Sequence, residues 1–203
     1  MEKIDFKKQM ASFYCPGGKT VQIVDVPKMN FVMIDGVGDP NKTAFQEAVG
    51  ALYSISYTLK FMIKKETGVD YGVMPLEGLW WANDMADFAQ GNKDAWQWTS
   101  LIMQPEYVTE TLFRSAIEKV KSTKDIPAVT QARFEAFHEG PCAQIMYLGP
   151  YSEEGPIISR IHEFAAENGY KLRGKHHEIY LGDPRRSKPE KLKTILRQPV
   201  EKD

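Results

Sequence analysis

Apolar residues change their period several times along the chain, and each change predicts an element. Val21-Gln22-Ile23-Val24-Asp25-Val26 is rich in β-branched residues and reads as a strand. Pro27 has no N–H for a ladder, so it interrupts the strand before Asn30-Phe31-Val32-Met33-Ile34 resumes it. Asp35 to Pro40 is then a turn that delivers a helix, with Asp39 placed to cap it and Pro40 suited to its first turn. From Lys42 to about Glu66, Phe45, Val49, Leu52, Ser56, Leu59 and Ile63 recur at steps of three and four. That is an amphipathic helix with one polar gap, at Ser56, and Gly68 ends it.

Two strand patterns follow, Met74–Ala82 and Ala95–Met103, joined by a long hairpin connection over Asn83–Asp94. Thr109–Lys121 predicts a second helix, capped by Thr109 and buried through Leu112, Phe113, Ala116, Ile117 and Val120. Ile126-Pro127 closes that segment. The pattern then begins again. Ala132–Phe137 and Cys142–Leu148 read as strands around the break His138-Glu139-Gly140-Pro141. Ile157, Ile158, Ile161, Phe164 and Ala165 mark a helix that stops at Asn168-Gly169, and His177–Leu181 and Leu192–Arg197 are the last strands.

The halves echo each other. Trp81-Ala82-Asn83-Asp84 stands where Tyr180-Leu181-Gly182-Asp183 stands, and Ile102-Met103-Gln104-Pro105 where Leu196-Arg197-Gln198-Pro199 does. The expectation is an α+β fold of two strand–helix–strand–strand pseudo-repeats, about 20–108 and 130–203, joined by a helix at about 109–121. Neither repeat covers both faces of its sheet alone, so one domain over residues 1–203 is expected.

Composition narrows the function. With 26 basic and 27 acidic residues among 203, the net charge is -1, which argues against direct binding of nucleic acid. No run approaches the ~18 apolar residues of a membrane span, and Met1-Glu2-Lys3-Ile4-Asp5 is unlike a signal peptide, so a cytoplasmic protein is expected. Cys15 and Cys142 form no disulfide framework or metal-ligand spacing. All four tryptophans, Trp80, Trp81, Trp96 and Trp98, fall in one short stretch, the first pointer to a site.

At this point the sequence resembles the GyrI-like small-molecule-binding family, which also supplies effector-binding domains of multidrug-responsive transcription regulators. The matching residues are Asp5-Phe6-Lys7-Lys8, Val24-Asp25-Val26-Pro27, Met33-Ile34-Asp35-Gly36-Val37-Gly38-Asp39-Pro40, Pro75-Leu76-Glu77-Gly78-Leu79-Trp80-Trp81 and His177-Glu178-Ile179-Tyr180-Leu181-Gly182-Asp183-Pro184. The resemblance implies two repeats around a pseudo-twofold axis, with a central ligand cleft walled by aromatic rings and holding a buried glutamate, here Glu178. The tryptophan-rich element resembles stand-alone members that hydrolyse the cyclopropane ring of cyclopropanoid DNA-alkylating toxins. The alternative is a non-catalytic binder that sequesters planar or cationic drugs, or a gyrase-inhibitor-like protein. Regulators carry a helix-turn-helix ahead of the binding domain, and with ~20 residues before the first strand none is expected here.

Each candidate residue has a functional reading and a plainer one. Strand alternation places His176, Glu178 and Tyr180 on one face and His177 and Ile179 on the other. A carboxylate among aromatic walls can hold a cation when ionised or handle a proton when neutral; on an open face it is only a solvated glutamate. Glu178 and Tyr147 are the candidate catalytic residues, Tyr147 as a hydroxyl that polarises a carbonyl. Trp81, Trp98, Tyr180, Phe137, His138 and Tyr71 are the candidate ligand contacts, Tyr71 covering the cleft mouth. Trp96 and Trp98 share a face while Trp80 and Trp81 diverge, and core or cross-strand packing is the competing reading for all four. His176 and Glu178 lack a third ligand, so no metal is expected, and no motif calls for a cofactor. The expected partner is a planar aromatic or cationic small molecule.

Overall fold

The computed structural model describes residues 3–84 and 91–202, so the connection expected over Asn83–Asp94 lies partly outside the described residues. After two helical turns at Phe6–Gln9 and Ala11–Tyr14 come β1 (Gln22–Val26), β2 (Met29–Val37) and α1 (Thr43–Thr67). Next are β3 (Leu76–Ala82), β4 (Trp96–Gln104), α2 (Glu110–Thr123) and β5 (Arg133–Phe137). β6 (Gly140–Leu148), α3 (Gly155–Glu167), β7 (Tyr170–Leu172), β8 (His176–Tyr180) and β9 (Lys193–Lys202) complete an α+β fold. Two compact units divide the chain. The first is the segment ending at Phe6 with Met29–Phe137, and the second is Lys7–Lys28 with the chain from His138 onward.

In the first unit β3, β4, β2 and β5 form an antiparallel ladder in that order. α1 packs on β2 and β4 and against α2, burying Phe45, Ala48, Leu52, Ile55, Leu59 and Ile63. The polar gap in its stripe has a partner: the Ser56 hydroxyl accepts from Gln104 Nε2 at 2.9 Å, so the buried hydroxyl is satisfied. Gly68 takes φ 76° and closes α1 as a left-handed cap. Thr109 caps α2 by accepting from the Leu112 N–H at 3.3 Å. Asp39 has another role. Its carboxylate accepts from the Asn41 N–H at 2.9 Å, making a turn three residues ahead of the true cap position, Lys42.

The β3–β4 register sets Trp80 opposite Trp98 and Trp81 opposite Gln97, so Trp81 faces away from the other two. Trp80 stacks on Phe45 of α1 at 5.5 Å, and Trp98 meets the same ring edge-on at 5.1 Å. Trp98 also lies flat over Gly36, where a Cβ would stand 2.1 Å from its ring. Glycine is there because the indole occupies the space of any side chain.

In the second unit β1, β6, β9 and β8 are antiparallel in that order, and β7 pairs with the far end of β9. α3 lays Ile161 and Ala165 on Val21, Ala143, Ile145, Leu196 and Val200. A buried charge network crosses this sheet. Glu139 binds His177 Nδ1 at 2.9 Å and Arg197 Nη1 at 3.1 Å. Arg197 also donates to Gln144 Oε1 at 3.0 Å and to the Phe13 carbonyl at 2.7 Å. Burial alone would push the Glu139 carboxyl up, but the His177 and Arg197 charges outweigh it and hold it at about 2.

Two strands sit in other ladders than the repeat pattern leads one to expect. β1, expected to open the first repeat, pairs with β6, and β5, expected to open the second, pairs with β2. The breaks at Pro27-Lys28 and His138-Glu139 let the chain change ladder, and hydrophobic period carries no information on partners. Among the described residues no helix is long and apolar enough to cross a membrane.

Candidate functional site

Pleating of β8 builds the site. Its inward residues, His177 and Ile179, are buried, and His177 is fixed by Glu139, so the strand is held from behind. The opposite face then presents His176, Glu178 and Tyr180, as alternation predicts. Glu178, with 14% of its side chain exposed, accepts from the Tyr180 hydroxyl at 2.8 Å through Oε2. His176 Nε2 lies 3.4 Å from its other oxygen. Tyr180 meets Tyr151 edge-on at 5.5 Å, so aromatic rings flank the carboxylate.

A second carboxyl belongs to this group. Glu154 occupies the cap position of α3, and its backbone carbonyl accepts from Ile157 and Ile158. Its side chain does not cap the helix. It is turned inward, 3% exposed, and among the described residues Oε1 has no hydrogen-bond partner. Burial and then the Glu178 charge push its pKa up to about 9, with the Thr194 hydroxyl opposing only in part. Glu154 therefore holds its proton more tightly than an ordinary glutamate beside a second carboxyl group, the kind of arrangement that can separate an acid from a base. His162 is lowered by burial and then by His176.

The other expected site residues divide by unit. In the second unit, the Tyr147 hydroxyl donates to the Pro150 carbonyl at 3.1 Å. Its pKa is raised by burial and then by the Glu153 and Glu154 charges. His138 is exposed. In the first unit, Tyr71 is a correction to the expected cleft-mouth residue. It is 2% exposed, bridged to Ile4 and edge-on to Phe6 at 5.9 Å, because the chain before Phe6 folds over it. Burial raises its hydroxyl pKa. Phe137 is half-buried, edge-on to Phe31 at 6.3 Å. Trp81 and Trp98, expected as two walls of one cage, lie on opposite faces of their ladder. Trp98 is core beneath α1 and Trp81 is half-buried on the other face.

Glu154 escaped the sequence reading because a glutamate at a helix start ordinarily faces solvent and complements the dipole. The one available signal was Glu153-Glu154 between two Gly-Pro pairs, ahead of an apolar stripe. Among the described residues no three His, Cys, Asp or Glu side chains are grouped to hold a metal ion.

The model of the GyrI-like small molecule binding domain matches residues 19–201. The chain belongs to the GyrI-like family. Solved structures agree with that membership. An uncharacterised conserved protein from Listeria innocua is 42% identical with a TM-score of 0.88, covering 98% of this chain and 100% of its own. A hydrolase from Listeria innocua is 40% identical with a TM-score of 0.86 over the same shares. The C-terminal domain of EcmrR shares the GyrI-like fold at 12% identity and a TM-score of 0.56, covering 91% of this chain and 98% of its own. No curated protein sequence matches this chain.

Proposed function

We propose that this GyrI-like protein hydrolyses the cyclopropane ring of cyclopropanoid DNA-alkylating toxins and so protects the cell. The observation that carries the reading is the inward-turned, 3% exposed Glu154 carboxyl, its pKa raised by burial and by the Glu178 charge, grouped with a Glu178 held by Tyr180. The similarity to a hydrolase over the full chain supports it.

The toxin bears a strained cyclopropane conjugated to a carbonyl, and its hydrolysis adds one water. The water oxygen bonds to the ring carbon as the carbon–carbon bond breaks, and that electron pair moves to the carbonyl oxygen. Glu178 takes the proton that the water loses, and Glu154 supplies the proton that the developing phenolate needs. We assign the donor role to Glu154 because the Tyr147 hydrogen is committed to Pro150. The proton now on Glu178 then passes to the Glu154 carboxylate, which returns the pair to its starting state. Tyr151 and Tyr180 offer flat walls for a planar ligand. Ring strain lowers the barrier, so orientation and one proton exchange suffice.

The test is reaction in water enriched in oxygen-18, followed by mass spectrometry. Hydrolysis places one heavy oxygen in each product molecule. Ligand recovered unchanged in mass makes the protein a non-catalytic binder.

A further inference from the structure

The inner side of α1 packs in the core, and its outer side carries a row of aromatic rings. Tyr53, Tyr57 and Phe61 recur every four residues along it, with ring centroids 6.3 and 6.5 Å apart. Tyr57 and Phe61 are 48% and 57% exposed. α2, in the same unit, shows how a solvated helix face is built: Glu110 pairs with Arg114, and Glu118 with Lys121. The outer face of α1 carries aromatic rings in their place, a pattern that marks an interaction surface.

Two further features say what covers it. Gly50 lies on this face, exposed, and among the described residues nothing is within 4 Å of where its Cβ would stand. Glycine is the least favourable residue after proline inside a helix, and among the described residues no contact requires one there. Charge is also segregated, with Glu47 towards the start of the face and Lys65 towards its end, while the neighbouring Lys64 is held by Asp70 at 2.7 Å.

We propose that this face is a homodimer interface, in which α1 packs antiparallel on α1 of a second copy about a two-fold axis between Ile55 and Ser56. That axis seats Phe61 in the notch at Gly50 of the second copy. It sets Ser54 against Tyr57 of the second copy, and Glu47 beside its Lys65. Each contact occurs twice, as an isologous interface requires. Knob, notch and both charges lie on one face, so the surface is complementary to itself.

Sedimentation velocity of the purified full chain over a concentration series tests this. A monomer–dimer equilibrium is expected. Gly50→Leu fills the notch while improving helix propensity, and Phe61→Glu removes the knob; each is expected to weaken dimerisation about 10-fold or more. Glu47→Lys weakens it, and adding Lys65→Glu restores it. Thermal unfolding of Gly50→Leu at concentrations where both proteins are monomeric is expected to match or exceed wild type, which separates a lost interface from a lost fold. A wild-type monomer up to about 100 μM, or wild-type dimerisation in both Gly50→Leu and Phe61→Glu, overturns the proposal.

Discussion

Tyr180 donates its phenolic hydrogen to Glu178 Oε2 at 2.8 Å from two positions further along the same strand. Because alternate residues of a strand share a face, the bond needs no loop to hold it. It orients one carboxylate oxygen, and His176 approaches the other at 3.4 Å. Loss of the bond in Tyr180→Phe is expected to cut ring opening about 10-fold, with little change in the urea midpoint. Equal activity in the phenylalanine variant would remove Tyr180 from the account.

Glu154 makes stability depend on pH with a definite sign. Burial raises its pKa from 4.5 to about 9, so the folded chain holds that proton more tightly than the unfolded one. Its contribution is complete below the unfolded value and is lost as pH rises through about 9. Wild type should therefore lose on the order of a few kcal/mol across that window, because each pH step between the two values costs up to ~1.4 kcal/mol. Glu154→Gln cannot ionise and should flatten the profile. Urea unfolding at several pH values checks this, and parallel profiles would contradict it.

Glu139 acts at the other end of the scale. Its depressed value gives stability that is present above the ordinary 4.5 and lost as pH falls towards about 2. Replacing Arg197, which is fully buried, with Met leaves the Glu139 carboxyl with one fewer counter-charge. That should cost ~3–5 kcal/mol at neutral pH. Chemical denaturation measures it, and a loss below about 1 kcal/mol (a surface-pair value) would show that the network is not held as described.

The two tryptophans expected to act together should separate. Trp98→Ala empties a core site beneath α1 and should cost ~3–5 kcal/mol. Trp81→Ala, on the half-buried face, should cost less. Gly36→Ala drives a methyl group into the Trp98 ring and should destabilise by ~1–3 kcal/mol. Thermal unfolding of the three variants ranks them, and a Trp81 variant as unstable as the Trp98 variant would reverse the assignment of faces.

The legible parts of the chain were those that local period reports. The α1 stripe, its end at Gly68 and the Thr109 cap all follow from side chains a few residues apart. Ser56 looked like a flaw because its partner, Gln104, lies 48 residues away. Strand parity correctly divided His176, Glu178 and Tyr180 from His177 and Ile179. It could not say that Trp80 stands opposite Trp98, which is what puts Trp98 under α1 and Trp81 on the other side. The exchange of β1 and β5 between ladders was hidden for the same reason. Glu154 was hidden by a different one: its charge state is set by burial, and a sequence shows a glutamate without showing what surrounds it.

The most direct test of the central claim counts ring-opened product per protein molecule on a cyclopropanoid alkylator, for wild type and for Glu178→Gln. Wild type should turn over well beyond one equivalent. Glu178→Gln should bind the compound, read by isothermal titration calorimetry, yet form product about 100-fold more slowly or worse. Product that stops at one equivalent in wild type, or that forms equally fast without the Glu178 carboxylate, would contradict the account.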